Sequence, residues 1–230
     1  MFRFLHSALL RSLRIACGVL AASTLSAQTV PRVLVIGDAV YREPVAILAK
    51  ELKGRVEVVR PELPKGAVLH SGSVLEHLDT LLGDGKWDLI HFNVGLGDLI
   101  HRAPGLKTMR VMPIGSGGVR NTGPALYESN LQELVRRLKA TDAKLVWAST
   151  TPIRASATDV FALGSEIEYN AIAAKVMTEA GIPTNDMYSH VKGMIDMSRP
   201  AAHGFDPFDF DRKPVHEPIV KAILSSLDLK

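Results

Sequence analysis

The chain has 230 residues and a formal net charge of +3, from 27 Lys and Arg against 24 Asp and Glu. Three of the cations, Arg3, Arg11 and Arg14, lie in residues 1–27, a segment without acidic residues. Removing that segment leaves equal numbers of acidic and basic residues, which excludes the strongly basic balance typical of nucleic-acid-binding proteins. The single cysteine, Cys17, lies in the same segment, which excludes a disulfide within residues 28–230.

Residues 1–27 have the three regions of a secretory signal peptide. The arginines come early, an apolar run over 15–22 follows, and small residues end at Ser26 and Ala27. The run is far shorter than the ~20 apolar residues that span a bilayer. We therefore expect cleavage near Ala27, a secreted or periplasmic protein, one domain over 28–230, and no stable membrane insertion of the mature chain.

The first predicted element of that domain is a buried strand over 33–36, followed at once by Gly37 and Asp38. Apolar runs rich in β-branched residues are typical of parallel strands that are covered on both faces. A helical pattern over 44–52 comes next. This order of strand, turn and helix places residues 37–39 at the carboxyl end of a sheet, where open α/β proteins bind their ligands.

Strands and helices alternate along the rest of the chain. The pattern predicts strands over 56–59, 88–93, 144–148 and 182–185, and helices over 73–82, 124–140, 165–180, 187–197 and 218–227. Ser73 and Glu76 have the spacing of a capping box, while Gly83 and Gly181 are placed to end helices. The alternation predicts a three-layer α/β/α sandwich around a parallel sheet of about five strands, in flavodoxin-like order with the first strand central.

One long segment, 102–123, has neither pattern. It contains Ile-Gly-Ser-Gly-Gly, but no strand and helix flank these glycines at the spacing that a phosphate-binding loop requires. We therefore predict a mobile surface loop.

Four segments carry a resemblance to a known family. They read Val-Ile-Gly-Asp at 35–38, Gly-Asp-Gly-Lys-Trp-Asp-Leu-Ile-His-Phe-Asn at 83–93, Gly-Leu-Gly-Asp-Leu at 95–99 and Trp-Ala-Ser-Thr-Thr-Pro at 147–152. In these segments the chain resembles the SGNH (GDSL) hydrolases, above all exported bacterial members associated with acetylated carbohydrates. The resemblance implies acyl transfer by a serine nucleophile, a histidine base that an aspartate orients, and an oxyanion hole.

The resemblance also implies that the reacting positions have changed. The nucleophile belongs after Gly37 and Asp38, where this chain has Ala39, and a methyl group cannot attack an ester. The block that ends Gly-x-Asn-Asp or Gly-x-His-Asp in the family reads Gly-Leu-Gly-Asp at 95–98, so the side-chain oxyanion donor is missing. The glycine of the second block falls between Gly66 and Gly72, without a unique alignment.

The final block of the family, Asp-x-x-His, aligns best with residues 199–204. In this register Ala201 replaces the aspartate and Gly204 replaces the histidine, with His203 one residue away. A one-residue slip or a short insertion would restore His203, and this alternative stays open. The degenerate site positions are then Gly37, Asp38, Ala39, Gly95, Gly97, Asp98, Ala201, His203 and Gly204.

Four other polar residues near the strand ends are interpreted as structural. Asp38 is predicted to stabilise its turn, and Asn93 to support the turn of the third block. His91 is predicted to be a core histidine because it falls within a buried strand. His70 is predicted to lie in a surface loop near the cleft.

Two acidic patterns invite a functional interpretation that we do not favour. Asp98 and His101 have the spacing Asp-x-x-His, but a solvated turn is favoured over a dyad. Asp206, Asp209 and Asp211 do not match the spacing of a calcium-binding loop. We therefore expect neither a metal nor a cofactor.

Taken together, these patterns predict an exported SGNH-fold protein related to carbohydrate O-acyl esterases. We expect it to lack serine-esterase activity and to bind a glycan or another small ligand, but no nucleic acid. A second interpretation is an active hydrolase of an ester or glycan that uses a replacement constellation of Asp38, His70, Asp98, His203 and Asp206. The sequence leaves the choice between enzyme and binding protein open, and also the oligomeric state.

The signal-peptide interpretation predicts the N-terminus of the exported protein. N-terminal sequencing of secreted or periplasmic material should find Gln28 or a close neighbour as the first residue. Recovery of the uncleaved chain from the membrane fraction alone would identify residues 1–27 as an anchor instead.

Overall fold

The computed structural model describes residues 29–106, 108–200, 210 and 213–230. The predicted signal peptide therefore lies outside the described residues. The same holds for the predictions that concern Ala201, His203, Gly204 and Asp206, and for Asp209 and Asp211.

Strands and helices alternate through the described residues as predicted. The strands are β1 (Arg32–Ile36), β2 (Glu57–Val59), β3 (Leu89–Phe92), β4 (His101–Arg102), β5 (Val119–Arg120), β6 (Lys144–Ala148) and β7 (Thr184–Asn185). The helices are α1 (Arg42–Glu51), α2 (Ser71–Glu76), α3 (Leu78–Leu82), α4 (Leu96–Leu99), α5 (Pro124–Lys139), α6 (Ser165–Ala180), α7 (Met187–Met194) and α8 (Glu217–Ser226).

Five of the strands form one parallel sheet in the order β2-β1-β3-β6-β7, which confirms the flavodoxin-like order. The prediction of a central first strand needs a correction. β1 is an interior strand, but the middle strand is β3. β3 has two strands on each side, whereas β1 has only β2 between it and the nearer edge of the sheet.

The helices cover both faces of this sheet. The chain moves from β1 to β2 in one direction and from β2 towards β7 in the other, so right-handed crossovers place α1 on the face opposite to α2, α5 and α6. α1 packs against α8, while α5 packs against α2 and α6. Between the layers, residues 33–36 of β1 and all of β3 are buried, and apart from His91 these residues are apolar.

The two longest helices follow their sequence signals closely. α5 begins with Pro124 in its first turn, where the missing N–H has no intrahelical partner to lose, and it buries an apolar stripe with Leu131 and Leu138. The hydroxyl of Tyr127 donates to the carbonyl oxygen of Val94 at 2.8 Å, which ties α5 to the segment after β3. α6 ends at Gly181, whose φ of 69° favours glycine, as predicted.

The predicted capping box of the second helix is wrong in register. The N-terminal cap is His70, whose Nδ1 accepts from the backbone N–H of Gly72 at 3.2 Å. Ser73 completes the box from the opposite end, because its Oγ accepts from the N–H of His70 at 2.9 Å. Histidine is not among the usual capping residues, so the sequence rules point three residues too far along the chain. The helix also divides at His77 into α2 and α3.

The glycine-rich segment is more ordered in its hydrogen bonding than a simple loop. It starts in β4 and returns in β5, and these two short strands pair in antiparallel fashion, with His101 opposite Arg120. Arg102 of β4 and residues 119–120 of β5 therefore belong to strands within the predicted loop over 102–123. The mobility of this segment stays a prediction.

The register of the main sheet determines where the site lies. Ile36 is opposite Phe92, and Phe92 is opposite Trp147, so β1, β3 and β6 end at one edge. The residues that follow each strand, with Asp38 and Asn93 among them, must meet there. Within the described residues, no helix has the length and apolar character needed to cross a membrane.

Candidate functional site

The turn after β1 presents a methyl group to a cavity. Asp38 caps the turn, since its Oδ1 accepts from the N–H of Val40 at 3.0 Å, which confirms that Asp38 stabilises this turn. The guanidinium of Arg60 donates through Nη2 to the carbonyl oxygens of Gly37 and Asp38, at 3.1 and 3.0 Å. Ala39 is exposed at the tip of the turn and lines the cavity.

The cavity has a volume of about 360 Å³, within the range of small-molecule sites. One part of its lining is apolar, with side chains of Val40, Leu96, Ile100 and Phe161. Residues 60–69 also line it and include the charged residues Arg60, Glu62 and Lys65. The cavity lies at the carboxyl edge of the sheet, where the residues at 37–39 were predicted to form a site.

Asp98 is the most strongly bonded carboxylate at this edge. It is fully buried and accepts from the N–H of Ser71, at 2.9 and 3.1 Å to its two oxygens, and from the Ser71 hydroxyl at 2.6 Å. Burial raises the pKa of Asp98, while the bonds from Ser71 act against that rise. The prediction of a solvated turn at Asp98 is therefore wrong, because this carboxylate joins α4 to the start of α2.

Ser71, His70 and Asp98 are the residue types of a catalytic triad, but their hydrogen bonds have the wrong order. The Ser71 hydroxyl donates its proton to Asp98, and Asn130 Nδ2 donates to the same hydroxyl at 2.9 Å. His70 Nδ1 accepts from the N–H of Gly72. Ser71 is also completely buried. A nucleophile needs its hydroxyl bonded to the base and open to substrate, so this cluster is structural.

The place of a side-chain oxyanion donor is filled by main chain. A Cβ atom at Gly97 would lie 2.0 Å from the carbonyl oxygen of Leu69 and 3.2 Å from Cβ of His70. An asparagine or histidine at position 97 therefore has no room unless residues 69–70 move. At Gly95, a Cβ atom would lie 2.0 Å from Oγ1 of Thr150, so this glycine allows close packing of two post-strand turns.

The two limits of the second-block glycine, Gly66 and Gly72, lie in different surroundings. Gly66 lines the cavity with a φ of 89°, whereas the N–H of Gly72 is already bonded to His70 Nδ1. The hydrogen bond to His70 means that the N–H of Gly72 is not free to bind an oxyanion, while the alignment of the second block stays open.

The remaining predicted polar residues are accounted for by structural contacts. His91 is buried, as predicted, with Nε2 3.1 Å from Nδ2 of Asn185, and burial lowers its pKa to about 4. Asn93 donates to the carbonyl oxygen of Ala148 at 2.9 Å and so links the ends of β3 and β6. His101 Nδ1 lies 3.0 Å from the carbonyl oxygen of Val160, whereas the carboxylate of Asp98 accepts its hydrogen bonds from Ser71.

Sequence reasoning missed Arg60. Its only local signal is its position directly after β2, at the edge where the other strands also end. Partial burial and the positive charge of Arg42 lower the pKa of Arg60. The negative charges of Glu62 and Asp38 act to raise it. Asp38 has a pKa raised to about 6 by burial, although the Val40 N–H and Arg60 favour its charged form. Within the described residues, no cluster of three His, Cys, Asp or Glu side chains could hold a metal ion.

Known structures share this architecture. An acetyl xylan esterase, AlAXEase, superposes with a TM-score of 0.62 at 13% identity, over 84% of this chain and 99% of that one. A lipase/acylhydrolase from Enterococcus faecalis has a TM-score of 0.62 at 15% identity, over 87% and 97%. An acetylxylan esterase from Geobacillus stearothermophilus has a TM-score of 0.57 at 14% identity, over 87% and 95%.

No family model and no curated protein matches the chain in sequence. The structural neighbours establish an SGNH/GDSL hydrolase-like fold, which confirms the predicted sandwich and the resemblance on which it was based. Identities this low carry the fold and leave the chemistry to the residues of this chain.

The contact at Gly97 leads to a stability prediction. Gly97→Ala should lower the free energy of unfolding by ~1–3 kcal/mol, because its Cβ would overlap the main chain at Leu69. Gly193→Ala, in α7 with no atom within 4 Å of its Cβ, is the matched control and should be neutral or stabilise by ~0.5–1 kcal/mol. Urea denaturation measures both. Equal midpoints for Gly97→Ala and the unmodified protein would show that residues 69–70 move without cost.

The buried carboxyl of Asp38 leads to a pH prediction. Its pKa is about 6 in the folded protein against 3.8 ordinarily, so the folded state binds more protons across this window and loses stability as the pH rises. The loss amounts to roughly 3 kcal/mol above pH 6. Asp38→Asn keeps an oxygen for the Val40 N–H but has no charge, so it should become more stable than the unmodified protein as the pH rises.

The Asp38→Asn effect must be read as a difference between two proteins. His91 acts on the stability of the protein in the opposite direction. Because its pKa is lowered to about 4, its contribution to the free energy of unfolding is lost as the pH falls from 6.5 to 4. Because His91 is present in both proteins, subtracting their unfolding free energies removes its contribution. The difference should grow from pH 4 to pH 6 and then level off. A difference that stays constant from pH 4 to pH 8 would contradict the raised pKa.

Proposed function

We propose that this protein uses an SGNH/GDSL hydrolase-like fold to bind a small ligand, without serine-esterase activity. The single observation that supports this most is Ala39, whose methyl group stands at the exposed tip of the turn after β1, beside the cavity. In the family that the sequence resembles, this turn carries the nucleophile. An alanine there removes the covalent step on which acyl transfer depends.

Two further features support the proposal that acyl transfer was lost through changes at several positions and not at Ala39 alone. Gly97 has no side chain to donate to an oxyanion, and the main chain at Leu69 occupies the space that such a side chain needs. In the proposed alignment, Ala201 and Gly204 stand at the positions of the aspartate and the histidine, with His203 as the open alternative. Loss of one oxyanion donor alone typically costs ~10²–10³ in rate.

The ligand class follows from the cavity and from its neighbours. Two of the structural neighbours are named as acetyl xylan esterases, so an acylated carbohydrate is a candidate ligand by analogy of fold. We propose that the protein reaches such a ligand after export, on the evidence of residues 1–27. Its role would be that of an accessory or binding homologue of the esterases.

A second candidate function is hydrolysis by a replacement constellation. The observation that favours it is Asp38, a carboxyl beside the cavity whose pKa of about 6 suits a general base near neutral pH. His70 and Asp98 are less suitable, because both are already engaged in capping and in the bonds to Ser71. His203 and Asp206 would have to supply the remaining groups.

Turnover of aryl acetates separates the two functions. The unmodified protein should release no more product than a buffer control, in burst or in steady state. Ala39→Ser should recover little, because a serine without an aligned base keeps its proton. Ala46→Ser, on the exposed side of α1, is the matched control for an added hydroxyl.

The opposite result is equally specific. Acetate release by the unmodified protein, abolished by Asp38→Asn or by His203→Ala but retained in Ala46→Ser, would establish the replacement constellation and end the proposal of a binding protein.

A further inference from the structure

The lining of the cavity beside Ala39 is chemically mixed. It combines apolar side chains, among them Val40, Leu96, Ile100 and Phe161, with three cationic residues, Arg42, Arg60 and Lys65, and two acidic residues, Asp38 and Glu62. A neutral acetylated sugar makes little use of three cations. The combination of an apolar lining with a cationic wall suits a ligand that has an apolar body and an anionic group.

Arg60 is held in a position that leaves part of its guanidinium available. Its side chain is 16% exposed, and Nη2 is bonded to the two carbonyl oxygens of the turn at 37–38. Its buried Nε has no hydrogen-bond partner among the described residues. The nearest carboxylate oxygen, on Glu62, is 3.6 Å from Nη1, and its side chain is 76% exposed. An exposed pair of this kind contributes little.

The charges around Arg60 do not balance. The positive charge of Arg42 acts on Arg60 and disfavours its protonated form, and Arg42 has no ion-pair partner among the described residues. On the acidic side stand Glu62, which is largely solvated, and Asp38, whose charge is itself disfavoured by burial. Partly buried cations are stabilised by a bound anion that hydrogen-bonds to them.

We infer that the cavity binds an organic carboxylate with an apolar body, its carboxylate bonded to the guanidinium of Arg60 and facing Arg42, its body against Phe161 and Leu96. This inference rests on the proposed binding function, and it names a ligand class in place of the acylated carbohydrate that analogy of fold suggests. The carboxylate would replace water at the cations. The apolar body would leave water and pack against the apolar side chains of the lining. No covalent step is involved.

Calorimetric titration with 4-phenylbutyrate and its neutral amide tests the inference on the purified protein. The carboxylate should bind at least ~10-fold more tightly than the amide, since one charge-assisted hydrogen bond is enough for that ratio. Arg42→Met should lower the affinity for the carboxylate ~10-fold and leave the affinity for the amide unchanged. Arg136→Met, on the exposed side of α5 where Arg136 pairs with Glu133, is the matched control and should change neither.

Arg60→Met should lower the affinity for the carboxylate at least as much as Arg42→Met does. Arg60→Lys should retain part of that affinity. If Arg60→Met fails to fold, because the turn at 37–38 loses its two hydrogen bonds, Arg42→Met decides the matter. Equal affinities for carboxylate and amide would overturn the inference and leave the proposed binding function standing. Binding of neither probe would overturn the inference too, and aryl acetate turnover would then decide the proposed function separately.

Discussion

The arrangement of the cleft depends on the buried carboxylate of Asp98. Its hydrogen bonds from the N–H and hydroxyl of Ser71 join the turn after β3 to the start of α2, elements that are far apart in the chain. Removing one partner of such a buried, charge-assisted contact leaves an uncompensated polar group, which is far more costly than a lost surface contact. Asp98 thereby holds residues 69–70 against Gly97, and both Leu69 and Gly97 line the cavity.

The contacts that stabilise the fold lie away from the exposed turn at Ala39. The stability of the sheet comes from strands such as β1 and β3, which are buried on both faces, and from the carboxylate bridge. Ala39 contributes almost nothing to either, because it is exposed at the tip of its turn. Residues at such a position can change without loss of the fold, which is compatible with the change of chemistry that we propose for this edge.

The same edge supplies a different kind of recognition. Arg60 follows β2 and reaches across to the turn after β1, where it bonds to main-chain oxygens. That placement gives the cleft a cation that two hydrogen bonds hold in position. Binding would then depend on charge and on apolar contact, both of which are independent of a nucleophile.

Much of the fold was predictable from local patterns, and much of the site was not. The buried run at 33–36, the stripe of α5 and the glycine after α6 are each determined by residues close in sequence, so strand order and helix ends followed from them. The cap at His70 was missed because histidine rarely caps helices. The burial of Asp98 and the role of Arg60 were missed because their partners lie in distant segments, which no local pattern reports.

The central claim is that no activated serine remains in this cleft, and covalent labelling tests it independently of the choice of substrate. Purified protein incubated with a fluorophosphonate and analysed by intact mass should show no adduct, whereas an active serine esterase treated in parallel should be labelled stoichiometrically. A stoichiometric adduct that maps to any serine of this chain would contradict the claim and show that a nucleophile has been rebuilt.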